Sequence, residues 1–120
     1  MIKPFNFYED DTKRKVKKRK RRSDRQEREL AKRVGGKVQP GSGNQWHSKG
    51  DVIDKDFLHE CKYTKNKSFS ISIDLWNEID MKAFQMGGKR PAIELVLGAG
   101  EENLKLIVLS EDDYLELRGL

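Results

Sequence analysis

Apolar residues fall along the chain in helical stripes and in short strand-length runs, separated by glycines and polar turns. Ser23 followed by Gln26 is a capping-box pattern opening a helix at about Asp24–Val34, with Leu30, Ala31 and Val34 as its apolar stripe. Gly35-Gly36 ends it. Lys37–Pro40 has the length of a short strand, and the stretch Gly41–Gly50 (GSGNQWHSKG) is too polar and glycine-rich for regular structure. Two strands, about Asp51–Ile53 and Phe57–Tyr63, follow around the turn Asp54-Lys55-Asp56, and a polar stretch covers Thr64–Ser68. Ser72 caps a second helix running to about Met86, in which Trp76, Ile79, Ala83 and Met86 share one face. Gly87-Gly88 stops it. Pro91–Leu97 and Leu104–Leu109 are apolar runs joined by the turn Gly98–Asn103, and they read as a hairpin with both strands largely buried. Ser110 with Asp113 starts a short last helix carrying Tyr114, Leu115 and Leu117. The order predicts an α/β protein, a mixed central sheet flanked by helices in a single small domain.

Charge divides the chain in two. Residues 1–22 hold ten Lys and Arg against three acids, and residues 23–120 hold fifteen against seventeen, so the start is strongly basic and the rest slightly acidic. The start also has too few apolar residues to offset the entropy of ordering it, which predicts a basic, disordered arm over 1–22 and a folded domain over 23–120. The run Lys13-Arg14-Lys15-Val16-Lys17-Lys18-Arg19-Lys20-Arg21-Arg22 matches the repeating phosphates of nucleic acid. A solvated tail, a nuclear-import signal or a contact with anionic lipid are its alternatives. No aromatic residue interleaves the run, so a stacking platform for single strands is not indicated. No stretch approaches the ~18–20 apolar residues that span a bilayer, so no membrane role is expected. The lone Cys61 cannot form an internal disulfide, which fits a reducing, cytoplasmic setting.

The candidate chemistry lies where Asp51 is followed by Glu60-Cys61-Lys62. Residues two apart on a strand share a face, so Glu60 and Lys62 point together and Cys61 points away. If the two strands pair, Asp51 lies beside Glu60. Two carboxylates and the Cys61 backbone carbonyl then form a hard-oxygen site suited to Mg²⁺. Beside it, Lys62 could orient or help deprotonate an attacking water and stabilise negative charge on the phosphorane. The bland reading stands next to this one: with 38% of residues charged, such a spacing arises readily, and a Glu/Lys pair on a strand face is ordinary solvation. Glu27 falls on the apolar stripe of the first helix and points to a partner such as a metal or metal-bound water, with a salt bridge or an exposed stripe edge as the alternatives. His47, His59 and Cys61 lack the paired spacing of a zinc site, and no third residue completes a Cys/His hydrolase. The GSGNQWHSKG loop is not a phosphate loop, because Lys49 is not followed by Ser or Thr.

A helix carrying Glu27, then Gly41-Ser42-Gly43, then Lys49-Gly50-Asp51, then Glu60-Cys61-Lys62, then a helix and two apolar strands resembles the PD-(D/E)xK nucleases. Within that superfamily it looks like the Holliday-junction resolvases of archaea and phages, over about residues 24–109. The resemblance implies a restriction-endonuclease-like fold and a metal-dependent, structure-specific DNA endonuclease. It makes Asp51 and Glu60 ligands of Mg²⁺ or Mn²⁺, Lys62 the catalytic lysine, Glu27 a metal contact through water, and Ser42 a serine near the active site. It implies a homodimer on four-way junctions, in a prokaryotic or phage-infected cell. By charge and position, Arg25, Arg28, Lys32 and Lys49 are candidate phosphate contacts alongside the basic run. The alternatives are a less selective nicking or restriction-like nuclease, a non-catalytic DNA-binding module with the same fold, or a basic RNA-associated protein. The segment between the first helix and the GSG is shorter than in the archaeal enzymes, and the second helix offers no match for their glutamine.

Overall fold

A computed structural model describes residues 24–39, 51–99 and 103–120. Helix α1 covers 24–34. Strands β1 (Lys37–Val38), β2 (Asp51–Ile53) and β3 (Phe57–Thr64) follow, then α2 (Ile73–Gln85), β4 (Arg90–Leu97), β5 (Leu104–Val108) and α3 (Glu111–Leu117). The five strands form one sheet in the order of the chain. β1, β2 and β3 are antiparallel neighbours, β3 and β4 are parallel, and β4 and β5 are antiparallel. The one parallel pair is the one that α2 connects, since parallel neighbours need a long crossover. A small α/β domain with a mixed sheet and three helices is what the hydrophobic pattern predicts.

The sheet is covered on both faces, and alternation along each strand decides which residue goes where. Leu58, Ile93 and Leu95 pack with Ile79 and Ala83 of α2, joined by Ile53, Trp76 and Met86. On the other face, Val52 packs with Leu30 and Ala31 of α1, joined by Val34, Val38 and Cys61. The α2 stripe expected from Trp76, Ile79, Ala83 and Met86 is therefore the one buried. Ser72 accepts a hydrogen bond from the Leu75 amide, and Ser110 accepts one from the Asp113 amide, so both caps form as expected.

Helix α1 ends at Gly35, whose φ of 66° lies in the left-handed region, and the Gly36 amide donates to the Ala31 carbonyl. Gly36 also passes so close to β2 that a methyl group on it would lie 2.5 Å from the Ile53 carbonyl oxygen. This contact sets the path of the chain from α1 into β1.

One expectation needs correction. β4 is buried along most of its length, but β5 is not: Leu104 is 54% exposed and Ile107 48%. β5 pairs with β4 alone among the described strands and lies at the edge of the sheet, so its apolar residues are not sandwiched as those of β4 are. The expected arm over 1–22, the cap Ser23 and the Gly41–Gly50 loop lie outside the described residues.

Candidate metal centre

The antiparallel register of β2 and β3 sets Asp51 directly opposite Glu60. Both side chains, with that of Lys62, project to the α2 side of the sheet, the side of Ile53 and Leu58. Asp51 is fully buried and the Glu60 side chain is 14% exposed. β2 begins at Asp51, so this rung is the last of the β2–β3 ladder, and the Cys61 carbonyl is the first on β3 beyond it. The sequence reading placed Asp51, Glu60 and Lys62 on one face, and that is how the structure arranges them.

Sequence reasoning missed Lys82. This residue of α2 donates to Glu60 Oε2 at 3.1 Å, and its Nζ lies 3.3 Å from Asp51 Oδ2. Lys62 Nζ meets the other Glu60 oxygen, Oε1, at 3.3 Å. Lys82 lies three residues after Ile79 and one before Ala83, at the border of the buried stripe, where a long stem can lie along apolar surface and lift its ammonium to the carboxylates. The same spacing would suit a surface lysine, so only the partners on β2 and β3 mark it.

The electrostatics of the pair are uneven. Burial, and then the Glu60 carboxylate beside it, push Asp51 up to about 8. Burial also works against ionised Glu60, but Asp51, Lys82 and Lys62 together hold its carboxyl below the usual range. Burial opposes the charge on Lys82 too, and the two carboxylates outweigh it and raise its pKa. Neither Asp51 oxygen accepts a hydrogen bond from a described residue, an unusual state for a buried carboxylate. The Lys82 ammonium is the cation that stands beside it. No cluster of three or more His, Cys, Asp or Glu side chains suited to a metal occurs among the described residues. Mg²⁺ does not need one, because it binds through one or two carboxylates and completes its shell with waters and substrate phosphate.

Other candidate residues lie elsewhere. Glu27 is buried on α1, which covers the opposite face of the sheet from Asp51 and Glu60. Arg25, Arg28 and Lys32 are exposed on α1, and Arg25 pairs with Glu29 at 3.0 Å. Ser42, Lys49 and the whole basic run lie outside the described residues. His59 does have an acid partner that the sequence did not reveal, since its Nε2 lies 2.8 Å from Asp54 Oδ2. Asp54 also accepts the Asp56 and Phe57 amides, so it ties the β2–β3 turn together. Cys61 is no nucleophile for that pair: burial first, and then nearby carboxylates including Glu94 and Glu27, push its thiol far up from the range where a thiolate forms. Glu94, an acid within the apolar run of β4, is buried and receives Arg33 of α1 at 2.9 Å.

No family model matches the chain, and no curated protein and no solved structure is significantly similar to it. Among the described residues, no helix is long and apolar enough to cross a membrane.

Proposed function

We propose that this protein is a metal-dependent DNA endonuclease with a restriction-endonuclease-like fold of the PD-(D/E)xK type, acting on branched DNA such as four-way junctions. The observation that carries the reading is the Asp51–Glu60 rung, a buried and a half-buried carboxylate side by side at the end of a strand ladder, with Lys62 two residues along the same face. Asp51 and Glu60, with the Cys61 carbonyl, would hold Mg²⁺ or Mn²⁺. The burial of Asp51 without a hydrogen-bond donor besides the Lys82 ammonium, and the drawing of that cation to both carboxylates, are the features that support a metal. A metal ion bound there supplies a Lewis acid that neutralises charge on the scissile phosphate.

The chain's own groups account for the rest of phosphodiester hydrolysis. A water attacks phosphorus and gives up a proton to solvent, the P–O bond to the leaving sugar oxygen breaks, and that oxygen takes a proton from solvent and departs as an alcohol. Lys62, a third exposed and 3.3 Å from Glu60 Oε1, would orient that water and stabilise negative charge as it develops. The basic run from Lys13 to Arg22 would supply sequence-independent attraction to the DNA backbone. A symmetric junction calls for two matched cuts, which a homodimer delivers.

Glu60→Ala tests the site. It should abolish cleavage in Mg²⁺ while DNA affinity, read by gel shift in EDTA, stays close to wild type. A variant that still cuts removes the metal-site assignment. A wild-type protein that binds DNA and cuts nothing under any divalent metal would favour the non-catalytic DNA-binding module.

A further inference from the structure

Two lysines touch the carboxylate pair, and they approach it differently. Lys62 meets only Glu60, through Oε1, and its side chain is 33% exposed. Lys82 meets Glu60 through the other oxygen and meets Asp51 as well, with its side chain only 14% exposed. Its ammonium thus contacts both carboxylates from the interface of α2 with the sheet. A cation that bridges two carboxylates uses the same oxygens that a small divalent ion needs. The backbone of Lys82 is fixed by its neighbours Ile79 and Ala83 in the core, whereas its four-carbon stem leaves the ammonium free to swing.

We propose that Lys82 is a built-in competitor for the divalent cation, contacting Asp51 and Glu60 in the metal-free protein and leaving the space between them when Mg²⁺ or Mn²⁺ binds. The inference rests on the reading of Asp51 and Glu60 as metal ligands. A carboxylate pair largely withdrawn from water and without a counter-charge is costly, so an ammonium beside it keeps the empty site stable. The same contacts must be broken for metal to enter, and their free energy is subtracted from metal affinity. A phosphate of bound DNA offers the displaced ammonium a new anionic partner. Metal and DNA therefore help each other to bind, and the coupling is reciprocal. Lys82 is on this account a residue that sets when the site loads, and Lys62 is the one that faces the reaction.

The test is direct Mn²⁺ binding, followed by electron paramagnetic resonance of the free ion at neutral pH, with the full chain and no DNA. Lys82→Met and Lys82→Gln should each bind Mn²⁺ at least about tenfold more tightly than wild type, a difference of ~1.4 kcal/mol. Lys82→Arg, which keeps the charge, should stay near the weak wild-type affinity. The double variant Asp51→Asn, Glu60→Gln sets the baseline. If Lys82→Met loses too much stability to titrate, the Mn²⁺-induced rise in thermal midpoint of Lys82→Gln reads the same effect. Binding by the neutral variants with none measurable in wild type is the same result in stronger form. Equal or weaker binding by the neutral variants overturns the inference and leaves the metal site standing. No binding above baseline in any of the proteins overturns both.

Discussion

At the scale of single residues, Asp51 concentrates the tension in the molecule. A carboxyl whose pKa rises from its ordinary 3.8 to about 8 on folding binds its proton more tightly in the folded state. The stability it contributes is complete below 3.8 and is lost as pH climbs through that window to about 8. Asp51→Asn removes this titration while nearly keeping the shape. In EDTA, its urea midpoint should therefore rise relative to wild type as pH increases, with the largest gain above pH 8. A difference that stays flat with pH would contradict the buried, burial-shifted carboxyl. Much of this site was legible beforehand, because strand alternation alone puts Glu60 and Lys62 on one face and a tight turn brings Asp51 alongside. Lys82 was not legible. Its neighbours in sequence do not distinguish it from Lys89 or any other lysine near a helix end, and only the packing of α2 on the sheet brings it to Asp51. The partner of His59 was hidden for a different reason: Asp54 reads as a turn residue, and it is one, but its second oxygen reaches across to the imidazole.

At the scale of elements, the joints carry as much information as the strands. The close approach of Gly36 to the Ile53 carbonyl means that any side chain there must push α1 and β1 away from β2. Because Asp51 and Val52 belong to that same short strand, the strain falls on the strand that presents the site. Gly36→Ala should cost about 1–3 kcal/mol of stability, read as a lower urea midpoint at unchanged slope. An unaltered midpoint would mean that the junction yields more easily than its geometry implies. Helix periodicity located α1 and α2 well, since an amphipathic stripe specifies both the element and its buried face. The edge position of β5 was the failure. Pro91–Leu97 and Leu104–Val108 have much the same apolar content, and which of them is central depends on pairing with β3, a contact far away in sequence. Local pattern holds no record of it.

At the scale of the whole molecule, the governing feature is the separation of charge between residues 1–22 and the rest. A basic segment that contacts phosphates releases counterions, and each contact adds roughly −0.9 to the slope of log affinity against log salt. Deleting residues 1–22 should weaken binding to duplex DNA and flatten that slope by several units. An unchanged slope would give the segment to another task, such as targeting, and would leave DNA recognition to the folded part. α1, which carries Arg25, Arg28 and Lys32, packs on the far side of the sheet from Asp51 and Glu60, where the nearby positive charge is that of Lys62 and Lys82.

The central claim is that Asp51, Glu60 and Lys62 form the reactive site of a nuclease that prefers branched DNA. Cleavage of a synthetic four-way junction, compared with a linear duplex of matched sequence in Mg²⁺ and in EDTA, tests it most directly. Paired, metal-dependent cuts in the junction, absent from the duplex and from both substrates in EDTA, are the predicted result. Equal cutting of the two substrates would keep the metal site and discard the preference for branches, and no cutting of either in any divalent metal would contradict the account.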